Sequence, residues 1–176
     1  QGYIETVTND RGSTDVHATY GDTNGDWGYL FETVQRSAQG FKDIDRSNRN
    51  SGFDISDYVG KLRWQGDRQS VTAKLQYSEE TSNSTYVGLT DADFNQDPNR
   101  RYGLSSPDQM DNTHSGVSLT HQFEWSDNVS STTTLYRNDF KRNWYKLSGA
   151  GNIIDQANRG DANAQGILDG TIDASG

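Results

Sequence analysis

The chain has 176 residues, enough for one domain, and carries 16 Lys and Arg against 25 Asp and Glu, a formal net charge of −9. That acidic balance, with a sequence pI near 4.6, argues against a nucleic-acid partner. The chain has no cysteine, which excludes disulfides and thiolate metal sites, and no run of 18 apolar residues, which excludes a transmembrane helix.

Apolar content is low. Hydrophobic residues make up 30% of the chain, and Leu, Ile, Val and Phe together only about 17%, a level associated with disorder. Aromatics, however, reach 11% and fall in alternating runs. Strands with one polar and one apolar face, joined by long polar loops, would give this mixture. A barrel with a watery interior needs apolar residues only on its outside.

In chain order, Tyr3–Thr8 reads as a short β-branched strand, residues 10–13 as a turn, and Thr14–Tyr20 as a strand with Val16, Ala18 and Tyr20 on one side. Residues 22–26 form a turn, and Trp27–Gln35 a third strand. Residues 37–53 are a polar loop. From Asp54 to Ser78 the pattern is two strands around a tight turn at Gly66-Asp67-Arg68. In the first, Tyr58, Gly60, Leu62 and Trp64 alternate with Val59, Lys61, Arg63 and Gln65. In the second, Val71, Ala73, Leu75 and Tyr77 alternate with polar residues. A loop at 79–112 holds both prolines, Pro98 and Pro107, and such long loops are usually functional. Thr113–Trp125 alternates again, a turn follows at 126–128, and Val129–Leu147 is a long strand with a bulge expected near Leu135 and Tyr136. Residues 148–176 read as loop or disorder, and no helix is expected.

The fold class implied is all-β: an antiparallel up-and-down meander of about seven strands, part of a larger transmembrane β-barrel. Connections after the first alternate short and long, so the short ones share one end of the sheet, as periplasmic turns and extracellular loops do. Trp27, Trp64 and Trp125 each stand within three residues of a short turn, as in an interfacial aromatic girdle. Leu62, Trp64, Val71, Ala73, Leu75, Leu119 and Phe123 are expected on the lipid side, and Lys61, Arg63, Lys74, Gln76 and Glu124 on the lumen side. The chain begins directly before a strand-like run and ends in a Gly-, Ala- and Asp-rich tail, so a fragment of a longer protein is expected.

Among candidate sites, Asp22-Thr-Asn-Gly-Asp26 has the opening spacing of a calcium loop. Trp27 displaces the required Gly and Thr33 stands where a bidentate Glu belongs, so a hairpin turn is the better reading. Glu79 and Glu80 point to opposite faces of a strand and cannot share a substrate. His17, His114 and His121 lack ligand spacing, and no G-x-S-x-G motif occurs. The stretch from Tyr86 to Asp111 is richer. Its aromatics Tyr86 and Tyr102, carboxylates Asp91 and Asp93, and cations Arg100 and Arg101 form a candidate ligand-binding set, the arginines suiting a carboxylate or phosphate. The same residues equally compose a solvated loop with internal salt bridges.

At this stretch, YVGLTDADFNQDPNRRYGLSSPDQMD, together with THSGVSLTHQFEW and TTTLYRNDFKRNWYKL, the chain resembles the barrel of TonB-dependent outer-membrane receptors, nearest the branch akin to the ferric dicitrate receptor. The resemblance runs from about Gly2 to Leu147. It implies a barrel of about 22 strands filled by a plug, energised by TonB and importing a ferric chelate or similar scarce ligand, with outer-membrane lipid around it. It implies no cofactor and no enzymatic activity. Residues 1–147 would be early barrel strands, and 148–176 an extracellular loop or disordered tail. The plug and the TonB-contacting segment are expected outside these residues, since about seven strands cannot close a barrel. The rival reading is a soluble β-sandwich carbohydrate-binding module using its aromatics as sugar platforms. A glycosidase lacks an identifiable carboxylate pair.

Overall fold

The computed structural model describes residues 1–10 and 12–173. Its elements are β1 (Gly2–Thr8), β2 (Ser13–Asn24), β3 (Trp27–Ala38), β4 (Asp43–Ile44), β5 (Phe53–Gln65), β6 (Gln69–Ser82), α1 (Asp91–Gln96), β7 (Arg100–Arg101), a 3-10 turn (Gly103–Ser105), β8 (Gln109–Ser126), β9 (Val129–Tyr145), α2 (Gly151–Asn158) and α3 (Ala162–Asp169). The chain is mostly β. Seven strands form one antiparallel meander in the order β1-β2-β3-β5-β6-β8-β9. It is not closed as a barrel. β4 and β7 pair separately in parallel.

Register follows from the alternation. Leu62 faces Ala73, Ala73 faces Leu119, and Leu119 faces Leu135. Directly opposed residues project to the same side of a sheet. The seven residues expected together, Leu62 to Phe123, therefore share one face. Lys61, Arg63, Lys74, Gln76 and Glu124 share the other. Asp22–Asn24 lie in β2, and Gly25, at φ 58, supplies the positive φ of the tight turn into β3.

Several expectations are corrected. The strands run further than their clean alternation, so the 79–112 loop shrinks to the span between Ser82 and Gln109. Pairing of β8 with β9 is unbroken through Leu135 and Tyr136; the register shift falls instead between Glu124 and Ser126, beside the turn. Helices do occur, which makes the chain less than all-β. Residues 148–173 are not loop or disorder but hold α2 and α3. Among the described residues no helix is long and apolar enough to cross a membrane.

The core is not on the sheet. Among the described residues the buried hydrophobic ones are Ile44, Val87, Tyr102, Ala150, Ala164 and Leu168, and all of these lie in the long connections and the C-terminal helices. Those segments meet at the end of the sheet opposite the short turns. Val87, Tyr102, Ala150 and Leu168 form its centre, flanked by Leu89, Leu104, Ile153, Ile154 and Ala157.

Candidate functional site

Two features stand out: the two faces of the sheet and the packed cap at its long-connection end. In the middle of β6 and β8, burial is the reverse of a water-soluble strand. Leu75 is 62% exposed and Leu135 67%, while Lys74, Gln76, Ser118 and Thr120 on the polar face are half-buried. Toward the short turns and on β9 the contrast ends: Lys61, Arg63, Gln122 and Glu124 on the polar face are exposed, as is Tyr136. Contiguous exposed apolar surface of this extent marks an interaction face.

The apolar face is a band, not the whole strand length. On β6 it covers Val71, Ala73, Leu75 and Tyr77, then gives way to Glu79 and Thr81 on the same side. On β2 it covers Val16, Ala18 and Tyr20, then gives way to Asp22 and Asn24 toward the short turn. On β8 it covers Val117 to Phe123. The band is oblique to the strands. The row through Ala18 runs through Thr33, Tyr58 and Tyr77 to Ser115, whereas the band on β8 centres near residue 120. The drift is uneven from strand to strand, but nets about five residues over four inter-strand steps. That is roughly 17 Å along the strands for roughly 19 Å across them, so the band runs about 40° off the perpendicular to the strands.

Aromatic side chains collect at the short-turn rim. Trp27 and Trp64 are directly opposed. Trp125 packs on Phe123 with ring centroids 4.6 Å apart and donates its indole N–H to Ser131 Oγ at 2.9 Å.

At the other end, Arg100 is the hub. The β4–β7 pairing fixes its backbone beside Asp43. Its guanidinium meets Asp45 at 3.0 Å, Asp93 at 2.8 Å and Asp169 at 2.7 Å, and lies 5.1 Å from the Tyr102 ring centroid. One cation thus ties the β3–β5 connection, α1 and the end of α3. The second oxygen of Asp93 accepts from Tyr102 Oη at 2.5 Å, Thr90 Oγ1 at 2.9 Å and Gln165 Nε2 at 3.1 Å. Burial pushes the Asp93 carboxyl up, but the hydrogen bonds from Tyr102, Thr90 and Gln165 and the charge of Arg100 outweigh it, and the group sits below its ordinary value. The hydrogen bond to Asp45 raises Arg100, against its burial, and Asp169 and Asp93 add to the rise. Burial, then the bond to Asp93, raises Tyr102. Asp108, almost fully buried, accepts from the backbone N–H groups of Tyr86 and Leu147, both at 2.9 Å, and so clasps the loop to the chain leaving β9.

The six sequence-selected residues therefore divide. Asp93, Arg100 and Tyr102 are joined to one another inside the cap. Tyr86 is exposed, beside Lys146, whose ammonium stands 4.0 Å from both the Tyr86 and Trp144 ring centroids. Asp91 is exposed, its backbone N–H bonded to Asn158 Oδ1 at 2.9 Å. Arg101 donates to the carbonyls of Pro98 and Arg100, and among the described residues no carboxylate pairs with it. Lys42 is its neighbour; burial, then the positive charge of Arg101, lowers the Lys42 pKa. Lys42, Asp45, Gln165 and Asp169 escaped the sequence reading because no local pattern links positions so far apart. Among the described residues no group of His, Asp and Glu could hold a metal ion. Set against family models, curated proteins and solved structures, the chain matches none.

Proposed function

We propose that the chain is a wall segment of an outer-membrane β-barrel of the TonB-dependent receptor class, working in uptake of a scarce ligand such as a ferric chelate rather than in catalysis. The observation that carries this reading is the reversed burial in the middle of β6 and β8, where Leu75, Val117 and Leu119 are exposed and Lys74, Gln76, Ser118 and Thr120 are half-buried. The obliquity of the apolar band supports it. A band about 40° off the perpendicular to the strands is what a flat lipid slab cuts from strands tilted by roughly 35–45° from its normal. On this reading the short turns face the periplasm, the cap faces outward, TonB acts through a plug held against the polar face, and further strands continue the open edges.

Residues 1–176 include no cysteine, so a single cysteine placed among them, in the complete protein with any cysteine elsewhere replaced, reports alone in outer-membrane vesicles. Leu75→Cys is expected to react with a lipid-soluble maleimide and resist a charged aqueous one, and Lys74→Cys to do the reverse. Aqueous labelling of Leu75→Cys in a protein that fractionates away from membranes would overturn the proposal and favour the soluble sandwich module.

Capture of an anionic chelate would fall to Arg101 and Lys42, which among the described residues have no carboxylate partner, while Arg100 holds the frame. The double variant Arg101→Ala, Lys42→Ala in the complete receptor should weaken binding of a ferric hydroxycarboxylate, more so at low salt where charge is least screened. Equal affinity at low and high salt alike would move recognition to another surface.

A further inference from the structure

We propose that the polar face of the sheet carries a binding site for a small polyanion, phosphate or polycarboxylate in chemistry, built from Lys61, Lys74 and Arg63. Lys61 and Lys74 are directly opposed in the β5–β6 register. Like charges in that position repel and destabilise a sheet. Arg63 lies two residues along on the same face, opposite Thr72. Among the described residues no carboxylate forms a salt bridge with any of the three. Glu32, diagonal to Lys61 on that face, is engaged by His17 at 3.3 Å. In a chain of net charge −9, three unpaired cations on one small patch are a local reversal of sign.

The patch borders a broad, open depression of about 810 Å³. Lys61 and Arg63 stand on its wall, with Thr23, Thr72 and one carboxylate, Asp22, beside them. Gly21 and Gly28 leave part of its lining without side chains, and Tyr3, Tyr29 and Leu30 add apolar surface to the rest. Arg63 is steadied by a hydrogen bond from its guanidinium to Gln65 Oε1 at 2.7 Å. Lys74 stands on the far side of Lys61, at the edge of a second recess of about 220 Å³ with Gln76, Ser118 and Asn138. A polyanion here would relieve the Lys61–Lys74 repulsion, take charge-assisted bonds from three cations and accept from the threonine hydroxyls. This site does not depend on whether the opposite face meets lipid.

Calorimetric titration of the complete folded protein with inorganic pyrophosphate tests it. Saturable binding at low ionic strength is expected, weakened by added salt. Lys61→Gln and Lys74→Gln should each weaken binding about tenfold or more, while Lys61→Arg retains it and Lys141→Gln, on the other face, leaves it unchanged. Without pyrophosphate, Lys74→Gln should raise the unfolding temperature, because it removes a repulsion. Absence of saturable binding, or equal binding by all variants, overturns the site. A fall in unfolding temperature in Lys61→Gln with no pyrophosphate response would mean that carboxylates of another protein segment fill the recess, which also overturns it. None of these outcomes bears on the Leu75→Cys and Lys74→Cys labelling, so the membrane reading stands or falls separately.

Discussion

Leu75→Arg is expected to cost about 2–4 kcal/mol of folding free energy in a bilayer, the range for Arg on the lipid face near the midplane of an outer-membrane barrel. Leu75 is near the middle of the apolar band on β6, which runs from Val71 to Tyr77. The same substitution at Tyr77, at the rim of the band, should cost only about 0–1 kcal/mol. Urea titration of the complete protein folded into phospholipid vesicles measures both. The gradient matters more than either value. A soluble sheet packed against a second sheet would penalise a buried charge along the whole covered face, whereas a lipid slab penalises it by depth. Equal costs at Leu75 and Tyr77, or a Leu75→Arg variant as stable as its parent, would remove the bilayer from the explanation.

Arg100→Met should cost about 2–3 kcal/mol of cap stability while leaving the sheet intact. Removing one partner from a buried ionic cluster costs roughly 3–5 kcal/mol because the remaining charges are stranded. The Arg100 side chain is 26% exposed, so solvent screening lowers the figure. Asp45, Asp93 and Asp169 would then face one another without a cation. Hydrogen exchange should quicken in residues 83–108 and 148–173 and stay unchanged in β5, β6 and β8. Protection unchanged in the cap would show that Arg100 is dispensable to the frame. Acid should act on the same cluster. The Asp93 pKa is depressed in the folded state, so its contribution is complete above the ordinary value of about 3.9 and is lost as pH falls through the lower folded value.

The sheet was legible in the sequence because its signal is local. Alternation in Leu62–Trp64 and Val71–Tyr77 assigns faces residue by residue, and the tight turns at Gly25 and at residues 66–68 fix the register. The bulge was misplaced because Leu135 and Tyr136, adjacent and both large, imitate a break in alternation. They simply occupy opposite faces of β9, where both are exposed. The helices were missed because α2 and α3 have eight residues each, too few for a 3.6-residue period to show. Their end signals were nevertheless present. Asp161 caps α3, accepting from the N–H groups of Asn163 and Ala164, and Gly170 ends it at φ 67. Thr90 caps α1 and its hydroxyl bonds Asp93. The Arg100 cluster was half legible. Internal salt bridges were one of the two readings of the loop, but the partners Asp45 and Asp169 lie 55 and 69 residues from Arg100 along the chain, beyond any spacing argument.

Those separations set an order of events. Each pair of neighbouring strands in the meander is consecutive or separated only by a loop, so the sheet can grow hairpin by hairpin with modest loop-closure cost. The Arg100 cluster needs its three aspartates brought together from across most of the chain, and non-local contacts of that kind form slowly. Asp169 reaches Arg100 only after β8 and β9 have turned the chain back to the long-connection end. The cap is therefore a late-setting latch: its closure certifies that the strands beneath it have already been laid in the right sequence, and a chain stalled at β8 would leave Arg100 waiting with one of its three anchors missing.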